Sequence, residues 1–182
     1  MQSCVIYGTG GHAKVLYDLA LLNNYQVVFF FDDNVSPTGT FKNIPVASYD
    51  SNCYPEVPML ISIGNNHLRS DISRKTLHHS CFLKHPHSII ASDVSIGEGT
   101  VVLSGAIIQA DTKIGKHCII NIGCNIDHDV SIGDFVHISP NAYIGGGVFI
   151  GEGVTVGAGA VIMRNANIPA WTEIAPNMVI NH

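Results

Sequence analysis

The sequence has few charged residues, few basic side chains and no long apolar run. Only 13% of its 182 residues are charged, and 9 Lys and Arg against 14 Asp and Glu give a formal net charge of −5. This balance lacks the positive field that binding nucleic acid or an anionic membrane requires. No apolar run approaches the roughly 20 residues of a membrane-spanning helix, and residues 1–8 lack the basic and apolar segments of a secretory signal. We therefore expect a cytoplasmic protein with no nucleic-acid or membrane partner.

The cysteines exclude two further classes of protein. Their number, 5, is odd, and they are scattered without a Cys-x-x-Cys pair. A disulfide-stapled secreted domain and a cysteine zinc site both require paired or closely spaced cysteines. We interpret the cysteines as reduced thiols, with Cys118 and Cys124 filling a core.

What the sequence does contain is Ile or Val at every sixth position from residue 90 to residue 180. Neither the 3.6-residue period of a helix nor the two-residue period of a strand requires this spacing. The position two residues before each Ile or Val is usually small or β-branched. Fixed-period self-similarity is typical of solenoids, and this pattern predicts a three-sided left-handed parallel β-helix. The aliphatic series is Ile90, Ile96, Val102, Ile108, Ile114, Ile120, Ile126, Ile132, Ile138, Ile144, Ile150, Val156, Ile162, Ile168, Ile174 and Ile180.

The N-terminal part of the chain lacks the six-residue repeat. The expected elements there are strands over 5–7, 26–31 and 59–63 and helices over 12–22 and 68–77. Strands that alternate with helices are typical of βαβ units with a parallel sheet. The sequence therefore predicts an α/β, Rossmann-like domain over residues 1–84 and a left-handed parallel β-helix domain over residues 85–182.

A glycine-rich turn follows the first predicted strand. Gly8-Thr9-Gly10-Gly11-His12-Ala13 fits the pattern G-x-G-x-x-[GA], in which glycines let the backbone approach a phosphate at a helix N-terminus. Asp32 and Asp33 end the next strand, where a carboxylate can accept from ribose hydroxyls. The alternative is a turn that needs glycine only for steric reasons. Because one mononucleotide-binding half is present, a nucleoside diphosphate linked to a smaller group fits better than a dinucleotide.

On the predicted β-helix, one corner combines a histidine with a run of glycines. Residues 18 apart stack on successive coils about 4.8 Å apart, which places His128 beside Gly146 in the triplet at 145–147. A base next to a backbone N–H that can stabilise an oxyanion suits acyl transfer. Asp129 could hold one imidazole nitrogen so that the other remains a free base.

Two further residues of the predicted solenoid are candidates. His137 directly precedes the inward Ile138, so it points outward from a flat face that could meet a neighbouring subunit. Arg164 lies one coil beyond Gly146 and is one of three basic residues after residue 90. It is the best candidate to bind a phosphate-bearing acyl carrier, although a solubilising role explains it equally well.

Four segments together resemble a known family. They are residues 8–15, Phe31-Asp32-Asp33, Ile63-Gly64-Asn65-Asn66 and residues 127–138. In this order they resemble the sialic-acid O-acetyltransferase family of sugar O- and N-acyltransferases. Within it, they are most similar to the bacillosamine-pathway enzymes that N-acetylate a UDP-4-amino-4,6-dideoxy sugar in bacterial glycan biosynthesis.

The resemblance implies an acetyl-CoA-dependent N-acetyltransferase without a metal, and a homotrimer with active sites between subunits. It implies that His128 is the general base, Asp129 its acidic partner, His137 a second active-site histidine and Gly146 the amide that polarises the thioester. The implied nucleotide-sugar-binding residues are Gly8, Gly10, Gly11, His12, Asp32, Asp33, Gly64, Asn65 and Asn121. The candidate acetyl-CoA contacts are His137, Gly146, Ala158 and Arg164.

Other functions remain as alternatives. The same residues would serve O-acetylation of a sugar hydroxyl such as that of a sialic acid. A zinc carbonic anhydrase of this fold would need a His-x-x-x-x-His pair, which the sequence lacks. An ice-binding solenoid would need regularly spaced outward Thr residues along one face, and these are also absent from the sequence. A scaffolding solenoid and a catalytically inactive relative are also compatible with the sequence.

Overall fold

The computed structural model describes residues 1–34 and 39–181. The chain divides into two compact units, Met1–Leu83 and Lys84–His182, with the division one residue before the boundary expected from the sequence. In the described part of the chain, neither helix is long and apolar enough to span a membrane.

The first unit is a five-stranded sheet with two helices. Its elements are β1 Gln2–Tyr7, α1 Gly11–Leu22, β2 Tyr25–Phe31, β3 Gly39–Phe41, β4 Ile44–Ala47, β5 Met59–Ile61 and α2 Asn66–Lys75. The sheet order is β3-β4-β2-β1-β5, in which only β3 and β4 pair antiparallel within the described residues. The parallel sheet predicted from the alternation of strands and helices is therefore confirmed.

Two details of this unit differ from the sequence-based expectation. The hairpin of β3 and β4 was not predicted, because its few apolar residues alternate with Gly39, Lys42 and Pro45 and form no apolar run. Helix α2 begins two residues earlier than expected because Asn65 caps it. The Asn65 side-chain oxygen accepts from the Leu68 N–H at 3.0 Å, which satisfies one of the free donors of the first turn.

The second unit is a parallel β-helix whose coil comprises three two-residue strands. Each strand pairs in register with the strand one coil away, as Asn125 does with Tyr143. The first sheet contains β7 Ile89–Ile90, β10 Ile107–Ile108, β13 Asn125–Ile126, β16 Tyr143–Ile144, β19 Val161–Ile162 and β22 Val179–Ile180. The second contains β8 Ser95–Ile96, β11 Lys113–Ile114, β14 Ser131–Ile132, β17 Phe149–Ile150 and β20 Asn167–Ile168. The third contains β6 Leu83–Lys84, β9 Val101–Val102, β12 Ile119–Ile120, β15 His137–Ile138, β18 Thr155–Val156 and β21 Glu173–Ile174.

The core of the β-helix consists of the six-residue aliphatic series and the small residues two positions before it. Both sets form one continuous cluster, so the predicted inward positions are confirmed. Cys118 and Cys124 are fully buried in this cluster, as expected. The two buried threonines at these positions satisfy their hydroxyls on backbone carbonyls, since Thr100 donates to Gly115 at 2.7 Å and Thr112 to Asp127 at 2.9 Å.

The glycines that directly follow the inward Ile or Val are required by the close approach of successive coils. A Cβ on Gly115 would lie 2.6 Å from the carbonyl carbon of Gly133. The left-handed backbone position of each corner lies two residues later, as at Gly153 with φ +69°. Asp129 adopts φ 60° at an equivalent position, so the residue beside His128 lies in a conformation that a short acidic side chain tolerates.

We predict that Gly151→Ala destabilises the β-helix. The new Cβ would lie 2.5 Å from the Ala170 nitrogen and 2.7 Å from its Cα, so one of the two coils must shift. We expect a loss of about 1–3 kcal/mol in the free energy of unfolding, measured by urea denaturation. The exposed substitution Lys113→Ala on β11 is the control, and an unfolding free energy for Gly151→Ala equal to that of this control would contradict the packing argument.

Candidate active site

His128 and Gly146 lie on consecutive coils at one corner of the β-helix. A Cβ on Gly146 would lie 3.0 Å from Cε1 and 3.1 Å from Nε2 of His128, so the ring packs against the bare backbone there, as predicted. The Gly147 N–H donates to the His128 carbonyl at 3.1 Å and holds the two corners together. Within the described residues the Gly146 N–H donates to no protein acceptor. This N–H is therefore available to a ligand oxygen beside the imidazole.

Two carboxylates flank the His128 ring. Nδ1 lies 2.6 Å from Asp129 Oδ2, and an ionised carboxylate only accepts, so the proton of this bond is on Nδ1. Asp127 Oδ1 lies 3.9 Å from Nε2. The hydrogen bond to Asp129 raises the pKa of His128 above its usual 6.5, the charge of Asp127 raises it further, and Arg164 opposes both. Neutral His128 thus has its lone pair on Nε2, the nitrogen next to Gly146.

The corner lines a cavity of about 400 Å³. Arg164 lies one coil beyond Gly146 in this cavity, where the coil spacing predicts it, and Tyr143 lines another side. The complete lining is Asp127, His128, Asp129, Tyr143, Gly146, Gly147, Arg164 and Asn165.

Two predicted site residues lie on another face. His137 is in β15, whose register pairs it with Ile119 one coil earlier, and Asn121 follows directly after β12. The Asn121 Nδ2 and His137 Nε2 atoms lie 3.1 Å apart. The structure joins these two side chains to each other but does not bring them into the cavity of His128. Ala158 lines a separate groove of about 490 Å³ with residues that include Pro140, Thr155 and Pro176.

In the first unit, the glycines of the turn after β1 have different roles. Gly8 has φ +103°, and a Cβ on it would lie 2.6 Å from Ser62 Oγ, so the fold itself requires glycine there. Gly10 and Gly11 are exposed, and no atom lies within 4 Å of a Cβ built on either. Gly64 is equally open. The steric alternative therefore explains Gly8 alone, while the space in front of Gly10 and Gly11 is open to a ligand.

Asp32 and Asp33, which we expect to contact a ribose, also accept hydrogen bonds from other residues of the same unit. Asp32 Oδ2 accepts from the Thr9 N–H at 3.0 Å and from the Thr9 hydroxyl at 2.6 Å. Asp33 accepts from the Tyr7 hydroxyl at 2.6 Å and from the Tyr49 N–H at 2.9 Å. These bonds fix the carboxylates at the carboxyl end of the sheet and use part of their accepting capacity.

Burial disfavours the charged form of His12. Burial lowers its pKa to about 4, and the nearby charge of Arg69 lowers it as well. Sequence reasoning missed Arg69, which is 1% exposed and donates to the carbonyls of Ile63 and Gly64 at 2.8 Å and 3.2 Å. Its position in the polar helix α2 gave no signal of burial. The ring of His12 is thus neutral at pH 7 in the ligand-free protein.

In the described part of the chain, no group of three or more His, Cys, Asp or Glu side chains is arranged to hold a metal ion.

Two protein families match separate parts of the sequence. The PglD N-terminal domain family matches residues 3–76, and the bacterial transferase hexapeptide family, with six repeats, matches residues 111–146. The first match falls in the α/β unit and the second covers the coils that contain His128 and Gly146. The two matches and the fold of each unit define the class of protein: a bacterial transferase in which a PglD N-terminal domain precedes a hexapeptide-repeat β-helix.

Solved structures match the chain over its whole length. A variant of GDP-perosamine N-acetyltransferase from Caulobacter crescentus, in complex with CoA and GDP-perosamine, is 30% identical with a TM-score of 0.92, over 100% of this chain and 89% of that one. The acetyltransferase domain of PglB from Neisseria gonorrhoeae is 28% identical with a TM-score of 0.90, over 100% and 92%. The chain belongs to this family of hexapeptide-repeat acetyltransferases that carry a PglD N-terminal domain.

A curated relative matches over a shorter segment. The UDP-N-acetylbacillosamine N-acetyltransferase of Bacillus subtilis is 35% identical over 116 residues, which cover 57% of this chain and 52% of that protein. The matched segment thus spans about half of the length of this relative.

We predict that Asp129→Asn shifts the pH dependence of activity. Because the Asp129 carboxylate raises the pKa of His128, its loss lowers that pKa, and the imidazole becomes a neutral base at lower pH. The acid limb of kcat/KM against pH, which reports the free enzyme, should move to lower pH. Asp93→Asn, at an exposed acid two coils earlier, should leave the limb in place. A limb that moves to higher pH would contradict this electrostatic assignment.

Proposed function

We propose that the protein transfers an acetyl group from acetyl-CoA to the 4-amino group of a nucleotide-linked amino-dideoxy sugar, with UDP as the first nucleotide to test. The observation that carries this proposal is the corner at which the His128 ring packs on Gly146, whose N–H donates to no protein acceptor within the described residues. The relatives support it, because one is named for a UDP-sugar N-acetyltransferase and another was solved with CoA and GDP-perosamine.

In this mechanism the neutral amine attacks the thioester carbonyl directly. His128 Nε2 accepts the proton as the C–N bond forms, and the Gly146 N–H stabilises the oxyanion. The C–S bond then breaks, and protonated His128 returns the proton to the CoA thiolate. Asp129 keeps the ring in the tautomer with Nε2 free and stabilises the imidazolium that forms between the two steps.

The first unit is the proposed site of the nucleotide. The open backbone at Gly10 and Gly11 begins helix α1, and free N–H groups at a helix N-terminus favour a phosphate. Asp32, Asp33, Gly64 and Asn65 lie at the same carboxyl end of the sheet, where parallel α/β sheets bind ligands. The oxygen of Asn65 is used in capping α2, so its amide N–H groups are what it offers to a sugar.

We propose a homotrimer in which the Asn121–His137 pair of one subunit completes the site of a neighbour. Within one chain this pair lies outside the His128 cavity, and a neighbouring subunit is the remaining way to bring it there. Acetyl-CoA would lie between subunits, with Arg164 near a phosphate and Ala158 in the groove along the third sheet. The cytoplasmic location stays a prediction from the sequence.

O-acetylation of a sugar hydroxyl is the second candidate function. A thiol-release assay with acetyl-CoA and three acceptors separates the two: a UDP-linked 4-amino sugar, a GDP-linked 4-amino sugar and free sialic acid. We expect release only with the amino sugars. Turnover of sialic acid alone would overturn the proposal in favour of the hydroxyl.

We predict that His128→Ala lowers kcat by about 10²- to 10⁴-fold, the usual contribution of a positioned base. Because the ring is exposed and packs on a glycine, its loss should leave folding and CoA binding almost unchanged, and the nucleotide sugar should lose no more than one hydrogen bond. Steady-state kinetics with calorimetric binding tests this. Near wild-type turnover in the variant would show that another group is the base.

We predict that Gly10→Ala weakens binding of the nucleotide sugar without destabilising the fold. Gly10 has φ −74° and an open environment, so alanine fits, yet its methyl would occupy the space proposed for the diphosphate. KM for the nucleotide sugar should rise roughly tenfold, as for one lost charge-assisted hydrogen bond, while KM for acetyl-CoA stays constant. An unchanged KM for the sugar would place the diphosphate elsewhere.

A further inference from the structure

Asp127 takes no part in the mechanism above, yet its carboxylate is held facing the catalytic nitrogen. Its Oδ1 accepts from the His128 N–H at 2.8 Å, and its Oδ2 accepts from the Tyr143 hydroxyl at 3.2 Å. Tyr143 is on the next coil, in register with Asn125. The carboxylate is thus bonded on both oxygens and lines the cavity, with a side-chain exposure of 32%.

The distance between the two acceptors fits a nitrogen that donates to both. Asp127 Oδ1 and His128 Nε2 are 3.9 Å apart, too far for a direct hydrogen bond. A single atom can lie about 2.9 Å from each, the usual N–H···O or N–H···N distance. An ammonium or amine has several N–H donors for the two acceptors. A hydroxyl has one donor and can satisfy only one of them.

We propose that Asp127, oriented by Tyr143, binds the protonated amino group of the acceptor sugar and thereby selects an amine over a hydroxyl. This inference rests on the proposed function and deepens it, because it names the residue that separates N- from O-acetylation. A sugar amine resembles an α-amino group, whose pKa is near 8, so much of it arrives as ammonium at neutral pH. The charged groups that line this cavity besides Asp127 are His128, Asp129 and Arg164.

The proton balance requires two protons to leave the nitrogen. The ammonium bound to Asp127 first loses one proton to solvent and becomes the neutral amine, still donating to Asp127 Oδ1 and His128 Nε2. Its lone pair then forms the C–N bond while the second proton moves to Nε2. When the C–S bond breaks, that proton passes to the thiolate. The net change is one amide, one CoA thiol and one proton released to solvent.

Binding of two matched ligands tests this role. The probes are a UDP-linked 4-amino-4,6-dideoxy sugar and its 4-hydroxy counterpart, with Kd measured by calorimetry on the full chain. For Asp127→Asn, which keeps size and one acceptor, we expect the Kd of the amine to rise about 10- to 100-fold, as for a lost charge-assisted hydrogen bond. The Kd of the hydroxyl compound should stay within about twofold, since it has no charge to lose. Tyr143→Phe should give the same pattern with a smaller rise, and Asp93→Asn should change neither Kd.

The outcomes separate this inference from the proposed function. Wild-type protein that fails to acetylate the amine in the thiol-release assay would contradict the proposed function itself. Wild-type protein that acetylates the amine, with Asp127→Asn weakening both ligands equally, would assign Asp127 a structural role and overturn the inference. An unchanged Kd for the amine would overturn it as well.

As a second readout, the wild-type preference for the amine should fall as pH rises above the pKa of the amine, and this fall should be absent in Asp127→Asn.

Discussion

The 18-residue coil determines which side chains of the second unit lie next to one another. In-register pairing of each strand with its neighbour one coil away stacks side chains at fixed positions along every corner. His128 therefore packs on Gly146, and Arg164 follows one coil later in the same cavity. A single insertion or deletion between His128 and Gly146 would rotate the histidine away from the bare backbone. The repeat thus positions the candidate chemistry as well as the core.

Electrostatics at this corner rest on a small number of charges. With only 13% of residues charged, few other groups compete with Asp127 and Asp129 for His128. Asp129 accepts the hydrogen bond from Nδ1, and Asp127 lies on the side of Nε2. Both carboxylates raise the pKa of the ring, and Arg164 opposes this effect. In the mechanism that we propose, the same imidazole accepts a proton from the nucleophile and later gives it to the departing thiolate.

Much of this architecture could be predicted from the sequence because a strict period leaves little freedom. The inward series, the buried Cys118 and the contact of His128 with Gly146 all follow from counting in sixes and eighteens. The interactions of the first unit were harder to predict, because they join residues that are far apart in a sequence with no repeat. Nothing local indicates that Arg69 is buried, or that Tyr7 donates to Asp33. Asn121 and His137 lie outside the His128 cavity of one chain, and spacing within one chain does not encode contacts with a neighbouring subunit.

The claim at the centre of this account is that neutral His128 has its proton on Nδ1 and a free Nε2. Nitrogen-15 NMR of histidine-labelled protein measures this directly, with the His128 signals among the 10 histidines assigned by their loss in a His128 variant. The account predicts that, above the pKa of the ring, Nδ1 is protonated and Nε2 has the shift of an unprotonated nitrogen. A neutral form with its proton on Nε2 would contradict it, since that nitrogen could not then act as the base.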